Sequence, residues 1–168
     1  MGRLYNVSGE NLSLGTGNVL MALRTAADGV TAGGIIALRR IEIFQNGTTT
    51  AQQIRGEIFT RDTAGTLTMT SATPNAIEPL GGPASAIGGS TAPAGTAAKV
   101  GINSSADSGG TYTQRLPFNF NNLNGWLWIP VPDERILIPP ATVAGFRLLA
   151  SPTTTTGWGF NCTFEEIV

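Results

Sequence analysis

The sequence has little of the side-chain chemistry that most enzymes use. Histidine is absent, Cys162 is the only cysteine, and Lys99 is the only lysine. Without histidine the chain lacks the commonest general base, and a single cysteine can form neither an intrachain disulfide nor a zinc site of cysteine and histidine. We therefore expect no catalytic residue, no metal and no cofactor, and we predict that the protein is not an enzyme.

Charge is also scarce, which argues against several classes of partner. Charged residues make up 12% of the chain and the net charge at pH 7 is −1, whereas soluble domains usually carry about 25%. Because no basic field is available to hold a phosphate backbone, we expect no nucleic-acid partner. No apolar run approaches the roughly 18 residues of a membrane span, and no secretory signal is visible at the start, so we expect no membrane partner either.

The clearest structural signal is the stretch Gly157–Ile167, which reads GWGFNCTFEEI. Its residues Trp158, Phe160, Cys162 and Phe164 recur at period two, and successive side chains of a strand point to opposite faces. The pattern predicts a strand with one face in the core. On that face Cys162 is predicted to be a buried, unreactive thiol.

Two alternating runs, Ile35–Gln45 and Gln52–Arg61, are joined by a segment that begins Asn46-Gly47. Asn-Gly between alternating runs is a strong hairpin signal, so we predict that these two strands pair.

The charges of the two runs suggest the register of that hairpin. If Glu42 lies opposite Arg55, the same register places Arg40 opposite Glu57. Two facing pairs of opposite charge would each contribute about 0.2–1 kcal/mol. Carboxylates and arginines can also be catalytic, but a structural ladder is favoured because no nucleophile or base lies nearby.

The stretch Asn18–Ala27 (NVLMALRTAA) is ambiguous. Its leucine, methionine and alanine content favours a helix, whereas Val19, Met21 and Leu23 alternate as in a strand. We interpret the stretch as a strand.

The region from 78 to 111 has a different composition. Within it Glu78–Ala98 is rich in glycine, alanine and proline and has hardly a charge. Such a stretch cannot bury a core face of its own, so we predict a long surface loop that lies against other structure. Its removal is expected to leave a folded domain with weakened assembly.

Turn signals recur every eight to twelve residues, and no stretch is convincingly helical. This spacing predicts an all-β chain folded as an antiparallel β-sandwich, and a count of about eight strands favours a jelly roll. We expect one domain over residues 1–168, with residues 1–17 as an N-terminal arm and loop.

Three short motifs occur in order along the chain. They are Met1-Gly2-Arg3-Leu4-Tyr5, Gly125-Trp126…Ile129-Pro130…Pro132-Asp133-Glu134-Arg135, and Cys162-Thr163-Phe164-Glu165-Glu166-Ile167. Together they resemble a family of small virion proteins of tailed bacteriophages. Chains of that family open Met-small-Arg-x-Tyr, carry Gly-Trp…Ile-Pro-x-Pro-Glu-x-Arg late, and close on an aromatic-Glu-Glu-Ile strand. The loop at 79–98 and the run Ile138-Pro139-Pro140-Ala141, where a glycine turn is expected, depart from the pattern.

The resemblance implies a fold and a role. Similar proteins are jelly-roll-like and sit on the capsid exterior as decoration or cement proteins, commonly as homotrimers. It therefore implies a virion protein made in the bacterial host cytoplasm, with the major capsid protein and other copies of itself as partners. The residues expected at the partner interface lie in the arm and the loop: Arg3, Leu4, Tyr5, Pro79, Leu80, Pro83, Ile87 and Pro93.

A receptor- or carbohydrate-binding module of a phage tail or head fibre is the alternative. In such a module Trp126, Trp128 and Trp158 would form a platform for a sugar. Exposed tryptophan rings would favour the module, and buried rings would favour the decoration protein.

Overall fold

The chain folds as an antiparallel β-sandwich, as the turn spacing predicted. In the computed structural model the described residues contain twelve strands, one 3-10 turn at Pro132–Glu134 and no α-helix. The described residues are 2–15, 18–26, 34–62, 66–77, 83–87 and 99–167. The strands are β1 (Arg3–Leu12), β2 (Val19–Arg24), β3 (Ile35–Gln45), β4 (Gln53–Arg61), β5 (Thr66–Ser71), β6 (Asn75–Ala76), β7 (Lys99–Ser108), β8 (Tyr112–Asn121), β9 (Trp126–Trp128), β10 (Leu137–Ile138), β11 (Val143–Leu148) and β12 (Trp158–Ile167).

The strands form two six-stranded sheets. In the first, sheet A, the order is β10-β3-β12-β1-β6, and β9 also pairs with β3. In the second, sheet B, the order is β5-β7-β2-β11-β4-β8. Every pairing in both sheets is antiparallel. The main hydrophobic core draws its residues from both sheets.

Strand β12 lies in the middle of sheet A between β1 and β3. Its residues Trp158, Phe160, Cys162 and Phe164 are completely buried in the main core. The period-two pattern of the last strand therefore predicted its core face correctly.

Strand β2 confirms that the ambiguous stretch after residue 18 is a strand. Its first five residues are all buried, because both faces of sheet B are covered at this position. Leu20 and Leu23 pack in the main core, whereas Val19 and Ala22 belong to a second apolar cluster. Burial on both faces explains why the alternation in the sequence was weak.

The second cluster has residues from strands β2, β4, β5 and β11, and all of these strands belong to sheet B. Phe59 on β4 packs edge-on against Tyr112, with 4.8 Å between the ring centroids. Leu67 and Met69 on β5 complete the burial of this cluster.

The predicted pairing of β3 with β4 is wrong. Strand β3 lies in sheet A and β4 lies in sheet B. Each strand has an apolar face, and burying both faces against each other places the strands across the core instead of side by side. Ile41 and Ile43 of β3 share that core with Ile54 and Ile58 of β4.

Three of the four charges have partners that differ from those predicted. Arg40 lies 2.9 Å from Glu42 on its own strand. Glu57 accepts a hydrogen bond from Nε of Arg147 on β11, at 2.8 Å.

Two predicted irregular regions contain long strands. The N-terminal segment is not a free arm, because β1 pairs with β12 from Arg3 opposite Glu166 to Leu12 opposite Trp158. The region 78–111 is not all loop, because β7 pairs with β2 and β5 in sheet B. In both cases the partner strand is distant in sequence, so a local sequence pattern could not predict the pairing.

Candidate docking surface

The segment from Trp126 to Ile138 forms one lateral edge of sheet A. Strand β9 pairs with the middle of β3, with Trp126 opposite Ile43, and β10 pairs with the first part of β3. Pro130 and Pro132 separate β9 from β10, because proline has no N–H to donate to a sheet ladder. We call residues 126–138 the proline edge.

The proline edge exposes large aliphatic side chains. The exposed fractions are 53% for Leu127, 63% for Ile129, 58% for Val131 and 60% for Leu137. Clusters of exposed apolar side chains mark interaction sites more often than single ones do. Four within eleven residues make this edge the strongest candidate docking surface among the described residues.

The alternation within β9 decides which side chains are exposed. Trp126 and Trp128 lie opposite Ile43 and Ile41, which are buried in the core, and both tryptophans pack partly against that core. Leu127 lies between them and points to the other face of the sheet.

The three tryptophans do not form a common platform. Trp158 is completely buried, and its indole Nε1 donates a hydrogen bond to the carbonyl oxygen of Thr154 at 2.9 Å. Trp126 is stacked on Phe118. These three rings therefore do not form the sugar-binding platform that the alternative hypothesis requires.

A shallow cavity of about 280 Å³ adjoins the proline edge. Its lining residues are Glu42, Ile43, Phe44, Asn124, Gly125, Trp126 and Leu127. The one carboxylate in the lining, that of Glu42, is ion-paired to Arg40 at 2.9 Å. The lining therefore offers one carboxylate that is already paired, beside apolar surface from Ile43, Phe44, Trp126 and Leu127.

The residues predicted at the partner interface are distributed over different environments. Arg3 and Pro83 are exposed and Leu4 is half-buried. Pro79, Leu80 and Pro93 lie outside the described residues.

Two of the predicted interface residues are buried within the domain, and the prediction for them is wrong. Tyr5 is 1% exposed, and its hydroxyl donates to the carbonyl oxygen of Pro83 at 3.2 Å. Ile87 is completely buried in the main core. Neither side chain is available to a partner of this chain, because the fold itself uses their apolar surface.

The buried carboxylate of Glu166 holds the segment 83–87 in place. It accepts hydrogen bonds from the hydroxyl of Ser85 and from the backbone N–H groups of Ala86 and Ile87. A carboxylate that is 2% exposed needs such donors, because an unpaired buried charge is strongly unfavourable. Part of the predicted surface loop is therefore anchored inside the domain.

A network of charged groups covers the second cluster of sheet B. The guanidinium of Arg147 lies 3.6 Å from the ring centroid of Tyr112, and its Nε donates to Glu57. The Tyr112 hydroxyl donates to Asp107, which also pairs with Arg61 at 2.9 Å. Burial raises the pKa of Tyr112 well above its usual value, and the hydrogen bond to Asp107 raises it further. The members of this network pair with one another, which fits a structural role.

Cys162 is a buried free cysteine. Burial raises the pKa of its thiol to about 12, because the thiolate would be poorly solvated in the core. The predicted burial of this residue is confirmed, and its low reactivity stays a prediction.

The exposed residues of the proline edge were not among the interface residues predicted from the sequence. A signal was present, because Leu127, Ile129 and Val131 alternate with Trp126 and Trp128. Both faces of the run are apolar, so either face could have been the buried one. A run that is apolar on both faces and lies beside prolines is the sequence feature that could have identified this surface.

Nowhere in the described ranges do three or more acidic, histidine or cysteine side chains gather into a group that could hold a metal ion. The described residues also contain no helix with the length and hydrophobicity needed to cross a membrane. Comparison with known proteins finds no match to a family model, to a curated protein or to a solved structure.

Proposed function

We propose that this chain is a structural virion protein that decorates the outside of an assembled bacteriophage head and stabilises it. Its partners are the major capsid protein and further copies of itself, in a homotrimer. One observation carries the proposal: Gly125–Arg135, one of the three motifs that resemble phage decoration proteins, lies almost entirely within the proline edge, which is the main exposed apolar surface of the described chain.

The strand order supports a jelly roll, which is the fold that the resemblance implies. If β9 and β10 are counted as one interrupted strand and the inserted β5–β7 are set aside, eight strands remain. Among them the first pairs with the last, the second with the seventh, the third with the sixth and the fourth with the fifth. A ribbon of strands paired in this nested order and wrapped into two sheets is a jelly roll.

The surface chemistry supports attachment through apolar contacts. The chain has a net charge of −1, and four aliphatic side chains of the proline edge are more than half exposed. Salt screens exposed charges but leaves the burial of apolar surface intact. Binding to a head is therefore expected to persist when the salt concentration is raised.

A binding assay tests the proposal directly. Purified protein is mixed with heads that lack it and, separately, with unassembled capsid protein, at low and at high salt. We expect binding to the assembled heads at both salt concentrations and much weaker binding to the free subunits, because a site shared by neighbouring subunits exists only on the shell. Equal binding to free subunits, or loss of binding at moderate salt, would contradict the proposal.

Electron microscopy of virions labelled with an antibody against this protein gives an independent readout. Label over the head supports the proposal. Label over the tail, together with binding to sugars of the host-cell surface, would favour the fibre module instead.

A further inference from the structure

The two lateral edges of sheet A both expose apolar side chains. One is the proline edge, and the other lies where β6 pairs with β1. At that second edge Ile77 is 52% exposed, and its N–H donates to the carbonyl oxygen of Leu4 at 3.0 Å. We call residues Arg3, Leu4 and Ile77 the N-terminal edge. The strand order places the two edges at opposite ends of the same sheet.

The two edges carry net charges of opposite sign, because the proline edge contains two acidic residues and one arginine, Arg135. Asp133 and Glu134 are exposed within the proline edge, and no cation of the described residues forms an ion pair with either. Arg3 is exposed on the N-terminal edge. Its cross-strand neighbour Glu166 is already occupied by the hydrogen bonds to segment 83–87.

These charges favour one kind of self-association over another. A two-fold contact of the proline edge with itself would bring two acidic residues of each copy together, with only the partly buried Arg135 of each copy to offset their repulsion. A head-to-tail contact would bring them against Arg3 of the next copy. The apolar residues of both edges would be buried in the same contact.

The rigidity of the proline edge favours its use as a docking surface. Pro130 and Pro132 fix the backbone between β9 and β10, and the turn Pro132–Glu134 follows directly. A surface that is ordered before binding loses less conformational entropy when a partner docks.

We propose that the proline edge of one copy docks on the N-terminal edge of the next copy, head to tail. The contact buries Leu127, Ile129 and Val131 and pairs the acidic residues of the 3-10 turn with Arg3. This inference rests on the proposed function, because it specifies how copies in the proposed oligomer contact one another. The contact does not depend on which shell the oligomer binds. Copies joined in this way form a closed ring if the rotation between them allows it.

Sedimentation of the purified full chain tests the contact without any capsid. We expect the chain to associate at concentrations between about 1 µM and about 100 µM. Val131→Asp is expected to weaken association at least about tenfold, since it places a charge in the contact. Leu149→Asp is the matched control, because Leu149 is also exposed, at 40%, but directly follows β11 of sheet B. A wild-type chain that stays monomeric, or equal effects of the two variants, would overturn the proposal.

Charge reversal tests the orientation of the contact. Arg3→Glu and Glu134→Arg should each weaken association, and the double variant should recover most of it because the pair is restored with its signs exchanged. If Arg3→Glu has no effect while Val131→Asp does, the head-to-tail assignment is wrong and the proline edge binds itself. If the chain is monomeric but Val131→Asp abolishes binding to heads, the edge serves the capsid instead, and the proposed function survives without this inference.

Discussion

The indole ring of Trp126 is stacked on the phenyl ring of Phe118, with 3.9 Å between the ring centroids and 17° between the ring planes. Trp126 belongs to β9 of sheet A and Phe118 to β8 of sheet B, so the pair joins the two sheets at their shared lateral side. Because the proline edge begins at Trp126, this stack holds the candidate docking surface against the core.

Gly56 on β4 makes the space that this stack requires. A Cβ at that position would lie 2.3 Å from a ring carbon of Phe118 and 2.9 Å from the carbonyl oxygen of Arg147. We expect Gly56→Ala to lower the free energy of unfolding by about 1–3 kcal/mol, the usual cost of overpacking a core. Urea denaturation measures the change, and adding Phe118→Leu to Gly56→Ala should recover part of the loss. A Gly56→Ala variant as stable as the wild type would show that the ring can move aside.

Ile87 contributes to the main core although it lies in the glycine-, alanine- and proline-rich region. We expect Ile87→Ala to cost about 2–4 kcal/mol of unfolding free energy, because it leaves a cavity among buried residues. Leu123→Ala is the control, since Leu123 is 47% exposed and its truncation should change stability by no more than about 0.5 kcal/mol. Equal midpoints for the two variants in a thermal melt would contradict the burial of Ile87.

The last strand and the third strand illustrate what the sequence could predict. A period-two pattern reports which side chains share a face, and it located the core face of β12 through Trp158 and Phe164. It does not report which sheet a strand joins. Glu42 and Arg55 have opposite charges, but the apolar faces of their strands meet across the core. Burial of those apolar side chains contributes more stability than an exposed ion pair does.

The average composition of a region does not show which of its single residues are buried, and the interface predictions were wrong for this reason. The region 78–98 was predicted to lie outside the core because of its glycine and proline content, yet one isoleucine, Ile87, and one carboxylate, Glu166, anchor part of it. Tyr5 was predicted at the interface from its motif, but its ring packs on Phe164 with 5.9 Å between the centroids. Such contacts join residues about 80 or more positions apart, and no local pattern encodes them.

Ala141 has a left-handed backbone conformation, with φ of 54°. It follows Pro139-Pro140, where the resemblance to phage decoration proteins implies a glycine turn, and its N–H donates to the carbonyl oxygen of Ala26 at 2.8 Å. The left-handed region costs a residue with a Cβ about 1–2 kcal/mol. Glycine avoids this cost, but its unfolded chain has a higher conformational entropy, which offsets part of the gain in stability. We expect Ala141→Gly to stabilise the protein by about 0.5–1 kcal/mol in denaturant unfolding. Ala150→Gly, at an exposed position without positive φ, should be neutral or destabilising, and the opposite order of the two variants would contradict this account.

Cys162 gives the fold a dependence on alkaline pH. The thiol has an ordinary pKa of 9.0, and burial raises it to about 12 in the folded chain. Below pH 9 the thiol is protonated in both states, so its contribution to stability is fully present. Between pH 9 and pH 12 the unfolded chain releases the proton and the folded chain keeps it. The free energy of unfolding should therefore fall by about 1.4 kcal/mol for each pH unit in this window because of this one group.

Comparison with Cys162→Ala isolates that contribution. Tyr112 also has a raised pKa, but its effect on stability is the same in both proteins and cancels in the difference. Cys162→Ala should be less stable than the wild type at pH 8, because it leaves a cavity beside Phe160. The gap between the two should shrink by about 2 kcal/mol when urea denaturation is repeated at about pH 10.5. Parallel pH profiles would mean that the thiol ionises as readily in the folded chain as in the unfolded one, which is incompatible with complete burial on the core face of β12.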